Sequence, residues 1–399
     1  MEGDREVTDE TPRASSKRRR TDHVEDHERR SHDRSVSDRS RPSQATQSSN
    51  LSLWRQQNRM AREHRYAAAT LTQLDRDSLD DDLRALLRGL GAAANGQATL
   101  PTAFLTELKR HANEDVDFDD PHLHSAAGLD LSWRETSTIV QNARLCLLRN
   151  DHEIGWNSYV HGPMLALACS LFGRMGGAAA DHVVAPVSLA HVPPKAYLLP
   201  AGNQIRKKMV DLGLVIQPHH ASDLARFYHG RSFPEFRDGD DCTSWNPSIA
   251  EQIASTPLVI SVETKRAEEK GAEAALQLGT WGTAQLRRLL ELRQSAHASP
   301  SSSPAAGPPT STVVGRIDLP QIKIQGASWS LMLLGGEYDP RAADVDDSLR
   351  VTLYAGHLLG DVTTYTGFFK VLACLRMMIE WTQTSYRPWL SQWVGLSSP

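Results

Sequence analysis

Cysteine is scarce in this 399-residue chain: Cys146, Cys169, Cys242 and Cys374 lie far apart, with no C-x-x-C pair. That spacing argues against a disulfide framework and a zinc knuckle. Three of the four sit in apolar, helix-like surroundings, where a small buried thiol is expected. Long apolar runs are missing too. The longest uncharged apolar stretch, 163–173, is far too short to cross a bilayer. Charges begin at Glu2 with no apolar segment behind them, so no signal peptide is expected and the chain reads as soluble and intracellular. Basic charge is not in excess either. The formal net charge is −4, so any attraction for phosphate must be local rather than spread over the surface.

Apolar residues are nearly absent from residues 1–50, which hold six of them against eleven basic and eleven acidic residues. Such a polyampholyte cannot offset its ordering entropy and is expected to be disordered. Its basic run Lys17–Arg20 suits a nuclear-localisation signal or a nucleic-acid patch, and equally an ordinary solvated charge run. Residues 298–313 are Ser/Pro-rich and read as a disordered loop inside a domain.

What is present centres on residues 257–281, PLVISVETKRAEEKGAEAALQLGTW. A proline opens an apolar, β-branched run that reads as a buried strand, ending at Glu263 and Lys265. Two residues apart on a strand, their side chains leave on the same face, beside Ser261 and Val259. A helix is expected over 272–293 from the recurrence of Ala275, Leu278, Gly282, Leu286 and Leu289. Phosphodiester hydrolysis needs a hard, oxygen-ligated cation and a positive charge near the developing anion. Glu263 and Lys265 have that chemistry, although Glu-x-Lys also occurs in exposed strands as a simple ion pair.

Upstream, 206–216 (RKKMVDLGLVI) reads as a second strand with Asp211 at its start, and 153–165 (EIGWNSYVHGPML) as helical, with Glu153 in the helix, Trp156, Asn157 and Val160 at helical spacing and a kink or restart at Pro163. His161 is expected to be a structural hydrogen-bonder. Residues 51–112 look helical, with an arginine stripe at Arg55, Arg59, Arg62 and Arg65 and an interruption at the Gly/Ala-rich 89–98. The acidic tract 114–120 reads as a solvated linker. A helix is expected over 132–149. Later strands are expected at 321–324, 329–334 and 350–359, with Gly335-Gly336 as a turn and a closing apolar helix at 366–384.

The set Glu153 with Trp156-Asn157, Lys208 to Asp211, Pro257-Leu258 leading to Glu263-Thr264-Lys265, and Gln277-Leu278-Gly279 with Trp281 resembles the PD-(D/E)XK nuclease superfamily, and more closely its fungal PD-(D/E)XK nuclease-like domain family. The later Gly326, Trp329, Trp381, Trp389 and Trp393 fit as well, so the resemblance spans about 130–395. It implies an α/β fold with a restriction-endonuclease-like core (α-β-β-β-α-β) and a mixed central sheet flanked by helices, here with an N-terminal helical extension. The domains would be a charged tail (1–50), a helical extension with an acidic linker (51–125) and a nuclease-like domain (126–396).

The implied activity is metal-dependent hydrolysis of nucleic acid, DNA ahead of RNA, with Mg²⁺ as the cofactor and Mn²⁺ as a substitute. No other cofactor and no membrane partner is implied. The metal would fall to Asp211, Glu263, the Thr264 carbonyl and Glu153, with Lys265 at the scissile phosphate and Gln277 assisting. Nucleic-acid contacts are expected from Lys207, Lys208, Arg266, Trp281 and Arg288, with Gln277, Trp281 and Arg288 sharing a face towards Glu263 and Lys265. Trp281 departs from the tyrosine of the related Gln-x-x-x-Tyr element. Asp211 lies 52 positions before Glu263, too far for a tight hairpin, so 217–256 is read as an insertion, its His219, His220 and His229 as loop residues. The alternative is a catalytically inactive domain of the same fold that binds nucleic acid or protein.

Overall fold

The computed structural model describes residues 66–125, 130–173, 182–199, 209–230, 233–239, 242–268, 271–297, 314–342 and 348–396. The expected tail 1–50, the arginine stripe, Arg206, Lys207, Lys208 and the loop 298–313 lie outside them.

One mixed sheet carries the fold. Its strands are β1 (Tyr66–Thr70), β4 (His182–Ser188), β5 (Leu212–Pro218), β6 (Leu258–Lys265), β7 (Gly315–Gln325), β8 (Ser328–Tyr338) and β9 (Arg350–Asp361). They lie in the order β1-β9-β8-β7-β6-β5-β4, while β2 (Leu100–Pro101) and β3 (His124–Ser125) form a separate short pair. β6 and β7 run parallel, β4, β5 and β6 antiparallel. A parallel neighbour needs a crossover, and α8 (Gly271–His297) supplies it.

The other helices are α1 (Asp81–Ala94), α2 (Leu105–His111), α3 (Trp133–Arg149), α4 (Glu153–Trp156), α5 (Gly162–Phe172), α6 (Asp223–Tyr228), α7 (Glu251–Ala254), α9 (Tyr365–Trp381) and α10 (Arg387–Trp393). The order helix (α4 and α5), β4, β5, β6, α8, β7 is the expected α-β-β-β-α-β core. Between α4 and α5 the chain passes through a π turn, Asn157–His161, and Pro163 falls in the first turn of α5, where its missing N–H costs nothing.

Local chemistry fixes these elements. Ser132 and Glu135 form a reciprocal capping box on α3, and Asn150 closes it in the left-handed conformation. β6 is buried at every position. Asn246 holds its start: Leu258 N donates to Asn246 Oδ1 (2.7 Å), while Asn246 Nδ2 donates to the Ile253 and Thr256 carbonyls.

Several expectations are revised. The segment before residue 112 is not wholly helical: β1 pairs in parallel with β9 at the sheet edge, and α1 packs on α9. Helix α1 continues through Gly89 and Gly91 to Ala94. A side chain at Gly89 would come 3.1 Å from Met377 Sδ, so the glycine allows α1 to sit close on α9. Gly335-Gly336 lies inside β8 rather than in a turn, because a Cβ at Gly336 would meet Leu286 of α8 at 2.7 Å. The turn falls at Gly326, whose φ of +58° suits glycine. Nor is the acidic tract all solvated: Glu114 accepts the Tyr365 and Thr366 backbone N–H groups at 2.5 and 3.1 Å, at the N-terminus of α9. The insertion 217–256 adds α6 and α7 and packs Phe227, Phe233 and Trp245 together.

Candidate active site

The buried run of β6 ends with Glu263, Thr264 and Lys265. Lys265 Nζ donates to Glu263 Oε1 at 2.6 Å and to the Thr264 carbonyl at 2.9 Å, with Glu153 Oε2 from α4 at 3.5 Å. Asp211 sits just before β5 in a backbone bond to β6, its N–H donating to the Val262 carbonyl at 3.2 Å. Its Oδ2 accepts both the N–H and the hydroxyl of Thr264, each at 2.8 Å. Antiparallel pairing of β5 with β6 thus closes the 52-residue gap, and Glu153, Asp211, Glu263 and Lys265 meet at one end of the sheet.

Two carboxylates, Glu263 and Glu153, meet the one ammonium of Lys265, and Asp211 is near enough to add its charge. Burial pushes the Glu263 carboxyl upward and the nearby Asp211 and Glu153 charges add to the lift, while Lys265 works against it. Burial alone would lower the Lys265 ammonium, but Glu263 beside it outweighs this and holds it protonated.

Among the described residues no three His, Cys, Asp or Glu side chains are gathered as a ready metal-binding group. The donors present nevertheless suit a hard divalent cation. Glu263 Oε2 is buried without a hydrogen-bond partner, and the Thr264 carbonyl and the Asp211 and Glu153 carboxylates lie around the same strand end, all oxygen donors of the kind Mg²⁺ prefers. In this structure the Lys265 ammonium meets Glu263 Oε1, the Thr264 carbonyl and Glu153 Oε2.

Other expected site residues are placed differently. Gln277 does not reach Glu263 or Lys265: its Nε2 donates to the Met209 carbonyl at 2.9 Å, bracing the chain that delivers Asp211, while its Oε1 is buried without a partner. Trp281 and Arg288 are corrections, since both are fully buried and present no surface to a nucleic acid. Arg288 ties α8 to the insertion, donating to the Ser244 and Pro234 carbonyls and to Glu291 Oε2 (3.0 Å), with its guanidinium over the Phe236 ring. Nearly every side of α8 is covered, so the three-and-four spacing did not mark an outward face. Arg266 is half-buried beside Lys265.

His161 is buried, with Nε2 2.8 Å from the Gly326 carbonyl and Nδ1 2.8 Å from the Asn157 amide, and it stacks on Trp156. It braces the β7–β8 turn and, among the described residues, makes no hydrogen bond to Glu153, Asp211 or Glu263. A cleft of about 500 Å³ lined by Asp80, Arg316, Asp318, Trp381 and Trp389 includes none of Glu153, Asp211, Glu263 and Lys265.

One neighbour escaped the sequence reading. Lys323 of β7 is the register partner of Glu263, flanked by Gln321 opposite Ser261 and Gln325 opposite Lys265. The alternation QIKIQ was the available signal: three polar residues on one face of a strand whose other face is isoleucine.

A mixed sheet with a β-α-β crossover and Glu-x-Lys at the end of its buried strand defines the restriction-endonuclease-like class of fold. A family model described as the PD-(D/E)XK nuclease superfamily matches residues 103–387, well over half of the chain, and the chain belongs to that superfamily. None of the curated proteins matches it.

Proposed function

We propose that the protein is a metal-dependent nuclease that hydrolyses phosphodiester bonds, with DNA ahead of RNA as substrate and Mg²⁺, or Mn²⁺ in its place, as cofactor. One observation carries the reading: Lys265 Nζ, Glu263 Oε1, the Thr264 carbonyl and Glu153 Oε2 converge beside Asp211 at the end of a buried strand. Asp211, Glu263 and the Thr264 carbonyl would hold the cation, with Glu153 reaching it through water. A divalent cation so held supplies Lewis-acid stabilisation of the phosphate and an activated water.

The chain's own groups have distinct tasks. Lys265 places a fixed positive charge where the phosphate oxygens gain charge, in a site that its burial keeps largely free of water. Asp211 fixes Thr264 through two hydrogen bonds to one carboxylate oxygen, so the Thr264 carbonyl is held in place. Lys17–Arg20 would direct the protein to the nucleus.

A second reading, a nuclease-fold domain that binds without cutting, draws on the Lys265 ammonium seated among the oxygens that a metal would need. Full-length protein incubated with single- and double-stranded DNA and RNA, with and without Mg²⁺ or Mn²⁺, separates the two. Metal-dependent cutting that is absent from Glu263→Gln supports the nuclease. Binding without cutting under every condition supports the second reading.

A further inference from the structure

Lys323 is an ammonium on the active-site face that the mechanism above does not use. It registers with Glu263 across the parallel β6–β7 ladder, and adjacent strands stand about 4.8 Å apart. The two residues still do not pair. Glu263 Oε1 takes Lys265, Oε2 has no hydrogen-bond partner, and Lys323 has no hydrogen bond or ion pair among the described residues.

The Lys323 ammonium points instead to the first turn of α8. A Cβ at Gly271 would lie 3.2 Å from Lys323 Nζ and 3.0 Å from Gln325 Oε1, so the glycine leaves this head group its room. Gln325 Nε2 donates to the Ala267 carbonyl at 3.1 Å, which fastens the chain leaving Lys265 over the end of β7. The two lysines therefore flank Glu263, one along its own strand and one across the ladder. Only Lys265 is neutralised by the carboxylates. A half-buried ammonium with no acid of its own among the described residues suits an anion that arrives from outside.

We propose that Lys323 is a phosphate-anchoring residue. Its ammonium takes the non-bridging oxygens of a backbone phosphate next to the scissile one, holding the nucleic-acid strand across the ends of β6 and β7 while Lys265 serves the reacting phosphate. This rests on the nuclease reading of the site. A phosphate contact carries no base information, so its loss weakens binding uniformly across sequences.

The test uses full-length protein and fluorescein-labelled single- and double-stranded DNA in Ca²⁺, with anisotropy read over a series of KCl concentrations. Lys323→Gln and Lys323→Met are compared with Lys323→Arg and wild type, and each variant's melting temperature confirms its folding. The expected result is a Kd raised about tenfold in Gln and Met, a plot of log Kd against log salt shallower by about one, and near wild-type binding in Arg. In Mg²⁺, KM should rise by more than kcat falls. If wild type binds and cuts while Gln and Met bind equally well, Lys323 is a solvated lysine and the anchoring idea is wrong, with the nuclease reading intact. A loss confined to kcat overturns anchoring as well. Wild type that neither binds nor cuts overturns both readings.

Discussion

Lys265 Nζ lies 2.6 Å from Glu263 Oε1, two positions back on the same buried strand, and the lysine makes this contact with the oxygens that a divalent cation would use. The ammonium and a metal therefore compete for one seat. Lys265→Met should bind Mg²⁺ or Mn²⁺ several-fold more tightly by calorimetry, because the carboxylates then lack a cation of their own. Cleavage by the same variant should fall about a hundredfold, the loss of roughly 3 kcal/mol of transition-state stabilisation. Weaker metal binding would show that the lysine supports the metal instead of displacing it.

Removing a carboxylate should do the opposite. Asp211→Asn and Glu263→Gln keep shape but lose charge, so the rise in melting temperature that Mg²⁺ gives wild type by mass action should shrink or vanish. Glu153→Gln should retain most of it, as Glu153 lies 3.5 Å from the Lys265 ammonium against 2.6 Å for Glu263. An equal Mg²⁺-induced shift in Glu263→Gln and wild type would remove Glu263 from the metal set.

His161 gives a pH test away from the carboxylates. Burial pulls its pKa down to about 4, against the Gly326 hydrogen bond that raises it. The folded state therefore favours the neutral ring, whose single N–H serves one of the two facing oxygens, the Gly326 carbonyl at Nε2 or Asn157 Oδ1 at Nδ1. A depressed histidine stabilises the fold above its unfolded pKa near 6.5 and loses that contribution as pH falls towards 4. Up to about 3 kcal/mol is at stake. Wild type should lose more stability than His161→Gln between pH 7 and pH 4.5 in urea melts. Parallel losses would show that His161 is not the group responsible.

Arg288 should matter to the fold and not to substrate. Arg288→Ala leaves Glu291 without its nearest cation in a buried site, at a cost of about 3 kcal/mol. Arg288→Met combined with Glu291→Leu should recover part of that. Denaturant unfolding measures both. Nucleic-acid affinity per folded molecule should stay at the wild-type value, and a selective loss of affinity would return Arg288 to the binding surface.

The sequence by itself determined the strand that ends in Glu263-Thr264-Lys265, the place of Asp211 at a strand start and a helix containing Glu153, while the α-β-β-β-α-β order was legible only through the family resemblance of those motifs. Those features are local: an apolar β-branched run, a polar break at its end and residues at helical spacing can be read within a dozen residues. Tertiary structure decided what those positions touch. Antiparallel pairing brings Asp211 to Thr264 across 53 positions, and parallel pairing sets Lys323 opposite Glu263. Burial of α8 on nearly every side turned Trp281 and Arg288 from expected contacts into interior residues. A helix period marks which residues share a face, but not whether a second layer covers that face. Here the insertion carrying Ser244 and Phe236 covers Arg288, and only the folded chain places it there.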